Sequence, residues 1–162
     1  MTIKIKKASL KDLEAIYCLN VALAKYELKF DPVRKKPKKP RKKRGFRCSQ
    51  EELRKRLKKK DCQFLIAEDK GKPVGFIEGC IKKSPSLYKY PRKGEIGPTF
   101  VKREYRNKDI GKKLAKGMLN WFKSRKVKWV QITTHTKNIN AITFWKKMDF
   151  KEYSIRMNLL LK

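Results

Sequence analysis

One segment restricts the fold more than any other. Ile110, Leu114, Met118, Trp121 and Phe122 recur at helical spacing on one face, which predicts a long amphipathic helix over about 108–125. Before it, residues 95–101 (EIGPTFV) read as a strand, and after it residues 128–134 (KWVQITT) read as another. A strand, a helix and a strand in this order form a right-handed crossover, so the two strands are expected to be parallel. The first strand contains Gly97-Pro98. Proline cannot donate to a ladder, so this pair marks an edge, a strand start or a bulge. Between that strand and the helix lies Tyr105-Arg106-Asn107-Lys108-Asp109-Ile110-Gly111-Lys112. The unpaired N–H groups of a first helical turn point outward, and the helix dipole favours negative charge there. Arg106, Lys108 and Lys112 add positive charge, so the loop reads as a pocket for a phosphorylated ligand.

The rest of the chain supplies more strands. Ile3 and Ile5 alternate with lysines as a first strand. Ser9 with Asp12 makes a capping-box start, and Leu13, Ile16, Leu19, Leu23 and Tyr26 carry a first helix to about residue 30. Ser49-Gln50-Glu51-Glu52 opens a second helix that ends near Lys60. Residues 62–68 and 74–81 are apolar and flank the turn Asp69-Lys70-Gly71-Lys72, which predicts an antiparallel hairpin. Residues 84–94 read as a loop, 138–148 as a short helix and 153–161 as a final strand. The expected order is β-α-α-β-β-β-α-β-α-β. The expected class is α/β (α+β): one domain over residues 1–162, with a mixed, mostly antiparallel central sheet and helices on both faces.

Charge narrows the partners. The 162 residues hold 46 Lys and Arg against 15 Asp and Glu, a net charge of +31. Such an excess suits nucleic acid, an acidic partner or a lysine-rich surface of the kind found in hot environments. The basic residues are spread along the chain, apart from one dense run. Every residue from 34 to 44 is Lys, Arg or Pro, within a basic Pro-rich loop at about 33–48. Prolines 37 and 40 favour extended structure there. Cys18, Cys48, Cys62 and Cys80 lie far apart without a C-x-x-C pair, and His135 is the only histidine. No metal site is expected, and the cysteines are expected to be reduced and mostly buried. No long apolar run occurs, so a cytoplasmic protein without a membrane segment is expected.

Two motifs, in order, carry a resemblance. The first is Arg106-Asn107-Lys108-Asp109-Ile110-Gly111 at a strand-to-helix junction. The second is Asn138-Ile139-Asn140-Ala141, then Phe144-Trp145, then Asp149-Phe150. Together with the element order they resemble the GNAT superfamily of acetyl-CoA-dependent N-acetyltransferases. The family pattern has a glycine where Asp109 stands, often a tyrosine where Trp145 stands, and a glycine where Asp149 stands.

The resemblance implies a site and a reaction. Acetyl-CoA would be the cosubstrate, with its pyrophosphate on backbone N–H groups of Asn107, Lys108, Asp109, Ile110, Gly111 and Lys112, and with Arg106 shaping the turn. Its pantetheine arm would pair with the backbone of Thr99, Phe100 and Val101, between splayed parallel strands, and would meet Asn138. An N–H of Phe100 or Val101 would stabilise the oxyanion. Glu95 is the candidate base, with Glu78 second; either Tyr153 or Tyr88 would replace the acid that Trp145 cannot be, or the thiolate would leave unassisted. As a lone histidine, His135 is expected to be a structural or surface residue. The acceptor would be a primary amine of a small molecule or a protein, and the protein itself is expected to be a monomer or homodimer. The alternative is a binding module of the same fold that holds nucleic acid or an acidic partner on its basic surface.

Overall fold

The structure is a computed structural model that describes residues 2–31, 33, 49–159 and 161. The basic loop expected at about 33–48 falls, apart from Val33, outside those residues. The elements are β1 (Ile3–Lys7), α1 (Leu13–Glu27), α2 (Gln50–Leu57), β2 (Cys62–Asp69), β3 (Lys72–Lys83), β4 (Arg92–Val101), α3 (Ile110–Ser124), β5 (Val130–Ile132) and α4 (Ile139–Lys146). One five-stranded sheet runs in the order β1-β2-β3-β4-β5. Its first three pairings are antiparallel, and β4 with β5 is parallel. This is the mixed, mostly antiparallel α/β sheet read from the sequence.

Each face of the sheet holds its own core. In β2, Phe64 and Ile66 pack with Ile16, Leu19 and Leu23 of α1 and Leu53 of α2. The alternate residues Leu65 and Ala67 pack with Leu114, Met118 and Phe122 of α3. A strand buried on both faces reads as an unbroken apolar run, which is why FLIA shows no alternation in sequence. Gly79 and Gly94 let α3 lie close. A Cβ on Gly79 would collide with the Met118 sulfur, and one on Gly94 would stand 2.8 Å from the Phe122 ring.

Local chemistry sets the element starts. Ser49 and Glu52 form a reciprocal box at α2: the Glu52 N–H donates to Ser49 Oγ at 3.1 Å and the Ser49 N–H donates to Glu52 Oε2 at 2.7 Å. Ser9 and Asp12 form the same box, but it opens a 3₁₀ turn over Leu10–Asp12, and α1 follows from Leu13. The β2–β3 turn uses positive φ at Lys70 (47°) and Gly71 (78°).

Three expectations are corrected. The loop over 84–94 is shorter, because β4 already starts at Arg92, where Arg92 and Lys93 pair with Lys83 and Lys82. The final strand over 153–161 does not form: residues 151–159 have no regular structure and are exposed, so a β-prone pattern has no partner strand here. The cysteines are not all reduced. Register puts Cys62 opposite Cys80 with Cα atoms 4.1 Å apart, and the two form a disulfide. An 18-residue separation in sequence hides that contact. Cys18 is free and exposed.

Candidate functional site: the gap between β4 and β5

The parallel pairing of β4 and β5 covers only Gly94↔Val130, Glu95↔Gln131 and Ile96↔Ile132. The strand β4 runs on to Val101 without β5 beside it. The break coincides with the bulge that Gly97-Pro98 foretells. Ile77 pairs with Thr99 but Gly79 pairs with Ile96, so Gly97 and Pro98 stand opposite the single residue Glu78. Beyond the bulge the ladder fixes direction. The Lys102 N–H bonds Val74 O at 2.9 Å. By alternation the Phe100 backbone also faces β3, whereas the Thr99 and Val101 backbones face the gap. The Phe100 ring packs on the α1 side of the sheet.

The loop after β4 turns back on the strand end. Arg106 Nε donates to Val101 O at 3.0 Å. Its guanidinium lies 4.7 Å from the Tyr26 ring centroid and 5.6 Å from that of Phe100. Asn107 (φ 58°) and Asp109 (φ 56°) both adopt positive φ, with Lys108 between them. Alternating backbone of this kind turns successive N–H groups into one concavity that favours anions. Asp109 stands at the N-cap of α3, but its carboxylate makes no cap bond. Its carbonyl instead accepts from the Lys113 N–H at 2.9 Å. The N–H groups of Ile110, Gly111 and Lys112 therefore belong to the open first turn. The Ile110 side chain is buried in the core, and Gly111 rests against the Phe144 ring.

Beside this helix start, a groove runs along α3. Lys112, Lys116, Lys123 and Lys147 line it, with Asp149 as the one acidic residue. Four lysines against one aspartate leave the groove net positive, which suits a phosphorylated ligand.

The acid residues lie on the other side of the same sheet region. Glu78 is 2% exposed and takes Arg56 Nη1 at 2.9 Å. The Glu95 side chain is 31% exposed and pairs with Lys82 and with Lys93 Nζ, the latter at 3.0 Å. Burial pushes the Glu95 carboxyl up, but the two ammonium groups outweigh it and hold the pKa below the ordinary glutamate value. The sign follows from the lowered folded value: these pairs stabilise the protein above the unfolded pKa and are lost as pH falls through the folded one.

Other sequence-predicted residues are placed as follows. Asn138 caps α4, its Oδ1 accepting from the Ala141 N–H at 3.3 Å. Trp145 is a core residue, 6% exposed, with ring centroids 4.9 Å from Phe144 and 5.2 Å from Phe150. Tyr88 and Tyr153 gather around Trp129 at 5.0 Å and 6.2 Å, just before β5, at the paired end of the gap. His135 is half-buried, and its carbonyl accepts the Asn138 N–H. Asp149, like Asp109, adopts positive φ (65°). Both aspartates thus keep the backbone that explains a glycine in the motif. The reading of the sequence did not find Arg56 or the left-handed Asn107, although asparagine is enriched at positive φ.

Comparison with known proteins gives the family and the fold. The profile described as the acetyltransferase (GNAT) family matches residues 30–150. The chain belongs to that family. It is 29% identical over 99 residues to an uncharacterised N-acetyltransferase of Methanocaldococcus jannaschii, a match covering 61% of this chain and 43% of that protein. An uncharacterised N-acetyltransferase of Archaeoglobus fulgidus is 30% identical over 87 residues, covering 54% of this chain and 58% of that one. The chain thus spans about half the length of the curated relatives it matches. Among solved structures, a mutant Bacillus halodurans protein superposes with a TM-score of 0.85 at 15% identity, covering 98% of this chain and 99% of that one. At these identities the likeness is one of fold. Among the described residues, no helix is long and apolar enough to cross a membrane.

Proposed function

We propose that this protein transfers an acetyl group from acetyl-CoA to a primary amine by direct attack on the thioester. The observation that carries the reading is the gap itself: a strand edge left open after Ile96 leads to a left-handed loop and an open helix start. The residues present fit the cosubstrate. Thr99 and Val101 offer backbone groups to an amide-bearing arm, the concavity over 107–112 offers N–H groups to a pyrophosphate, and the α3 lysines offer charge. Asn138, with its oxygen engaged in the cap, keeps its amide N–H groups for the arm. A neighbour of the same fold, AAC(6')-Iy, was solved with the bisubstrate analog CoA-S-monomethyl-acetylneamine; it superposes with a TM-score of 0.74 at 14% identity, over 100% of this chain and 99% of that one.

Acetyl-CoA supplies the activated carbonyl. The chain's own groups do the rest. The Val101 N–H donates to the charge that develops on the carbonyl oxygen. Glu95, the more exposed carboxylate and ionised at neutral pH, draws the acceptor amine and takes its proton directly or through water. The nitrogen–carbon bond forms as the carbon–sulfur bond breaks, and overall one proton passes from nitrogen to sulfur. The one-domain organisation over residues 1–162 and the assignment of the basic run at about 33–48 to an acidic partner belong to this proposal.

The test is thiol release from acetyl-CoA across an amine panel. Glu95→Gln should lower kcat at neutral pH by about 10- to 100-fold. With the Glu95 pKa already depressed, the wild-type profile between about pH 6 and 9 should follow the acceptor's own deprotonation. Full activity in the variant would remove Glu95 from the mechanism. Asp109→Gly should raise the melting temperature by about 1–3 °C, because glycine takes positive φ freely. It should also tighten CoA several-fold by removing a carboxylate from the phosphate loop. Weaker CoA binding in calorimetry would show that the carboxylate serves the site.

The lysine groove on α3 favours one second reading, a module that binds a polyanion. Steeply salt-dependent RNA or DNA binding without thiol release would establish it.

A further inference from the structure

The paired end of the gap carries more positive charge than its acid balances. Register puts Lys82 directly opposite Lys93 across β3 and β4, and like charges so placed repel. Glu95 stands beside them and pairs with both, with Lys93 Nζ at 3.0 Å. Lys93 is held from the β5 side as well. Its ammonium donates to Gln131 Oε1 at 3.0 Å and lies 5.7 Å from the Trp129 ring centroid. The Lys93 side chain is 22% exposed, against 56% for Lys82. Lys93 is thus a fixed cation and Lys82 a looser one. Two ammonium groups against one carboxylate leave a positive excess where the acceptor amine has to arrive.

We propose, on the acetyl-transfer reading above, that the acceptor is an amine bearing its own anionic group within about 7 Å of the nitrogen, and that Lys93 selects it. An amine arrives as an ammonium before it loses its proton. Without a further charge it meets two cations and one anion, and is repelled on balance. An amine that carries an anion exchanges partners instead. Its anion takes Lys93, and its ammonium takes the carboxylate that Lys93 releases. Gln131, with its oxygen engaged by Lys93, keeps its amide N–H groups for the same anion. A phosphate, with the larger charge, gains more than a carboxylate. The order along β4 orients the molecule. Lys93, Glu95 and the opening after Ile96 follow one another, so an anion at Lys93 leaves the nitrogen at Glu95, on the side of the gap. Alternate residues of a strand are about 7 Å apart, which sets the reach from anion to nitrogen. The transfer is unchanged: nitrogen gains the acetyl group and sulfur the proton.

The test is thiol release at saturating acetyl-CoA with ethanolamine, O-phosphoethanolamine and ethylenediamine, at one ionic strength. By kcat/KM, O-phosphoethanolamine should exceed ethanolamine about tenfold or more, and ethylenediamine should rank last. Lys93→Met, which keeps an unbranched stem beside Trp129, should bring the first two within about twofold of each other, and Lys93→Arg should keep them apart. Equal values for the first two in the wild type overturn the proposal, and so does a preference that survives Lys93→Met. Release with none of the three counts against the acetyl-transfer reading itself. The acceptor class is then read by calorimetric titration of each amine into the CoA complex. Phosphate-dependent binding that Lys93→Met abolishes upholds it there. No binding, or binding indifferent to the phosphate or to Lys93, overturns it.

Discussion

Replacing Arg56 with methionine is expected to lower the thermal midpoint by roughly 6–12 °C, or about 3 kcal/mol. The reason lies beneath α2. Glu78 is 2% exposed at the centre of β3, and the Arg56 guanidinium reaches it at 2.9 Å. Removing the cation takes a positive charge at 2.9 Å away from a buried carboxylate, and the desolvation that it offset is the expensive term. The Arg56 side chain is 30% exposed, which places the cost at the lower end of the range for buried pairs. The double variant Arg56→Met, Glu78→Leu should recover most of the loss, because two apolar groups of similar size remove the buried charge altogether. Calorimetric melts of the two variants decide the matter. A single variant within about 1 kcal/mol of wild type would show that Glu78 does not depend on the guanidinium.

The second large effect is expected at the loop. Arg106→Ala should weaken CoA binding about tenfold or more, equal to 1.4 kcal/mol, with kcat for acetyl transfer little changed. Arg106 is a positioning residue. Its Nε holds Val101 O, and its guanidinium lies over two rings, one from α1 and one from β4. The two non-glycine residues at positive φ beside it are sustained by such anchoring. Without it the N–H concavity relaxes, and binding is lost equally from ground state and transition state. Arg106→Lys should recover little, since an ammonium lacks the planar fork that stacks and donates together. Titration calorimetry with CoA reads the affinity, and unchanged affinity in Arg106→Ala would refute the role.

The sequence made much of this legible, for reasons that differ by position. The α3 stripe, the hairpin at Lys70-Gly71 and both capping boxes are local signals, written within a few residues of one another. Gly97-Pro98 announced the bulge because proline's missing donor is a fact of one residue. What stayed hidden is non-local. Cys62 and Cys80 meet only once the hairpin register is known, and Arg56 finds Glu78 only once α2 lies on the sheet. The core position of Trp145 was obscured because motif comparison put it in a tyrosine's place, whereas its contacts are Phe144 and Phe150. Asn107 and Asp109 show a finer limit. Their identities permit left-handed backbone, but only the closed turn demands it.

The disulfide between β2 and β3 has a meaning beyond cross-linking. Strand pairing is a choice among discrete alignments, and a slip of one residue exchanges the two faces of a strand. The bond between Cys62 and Cys80 sits on directly opposed residues, two places from Glu78 along β3. It therefore acts as an index mark for the hairpin. While it is closed, Phe64, Ile66, Phe76 and Glu78 stay on the α1–α2 side, and Val74, Ile77 and Ile81 stay against α3. The bulge opposite Glu78, and with it the place where the sheet opens, inherits its address from that one covalent pairing.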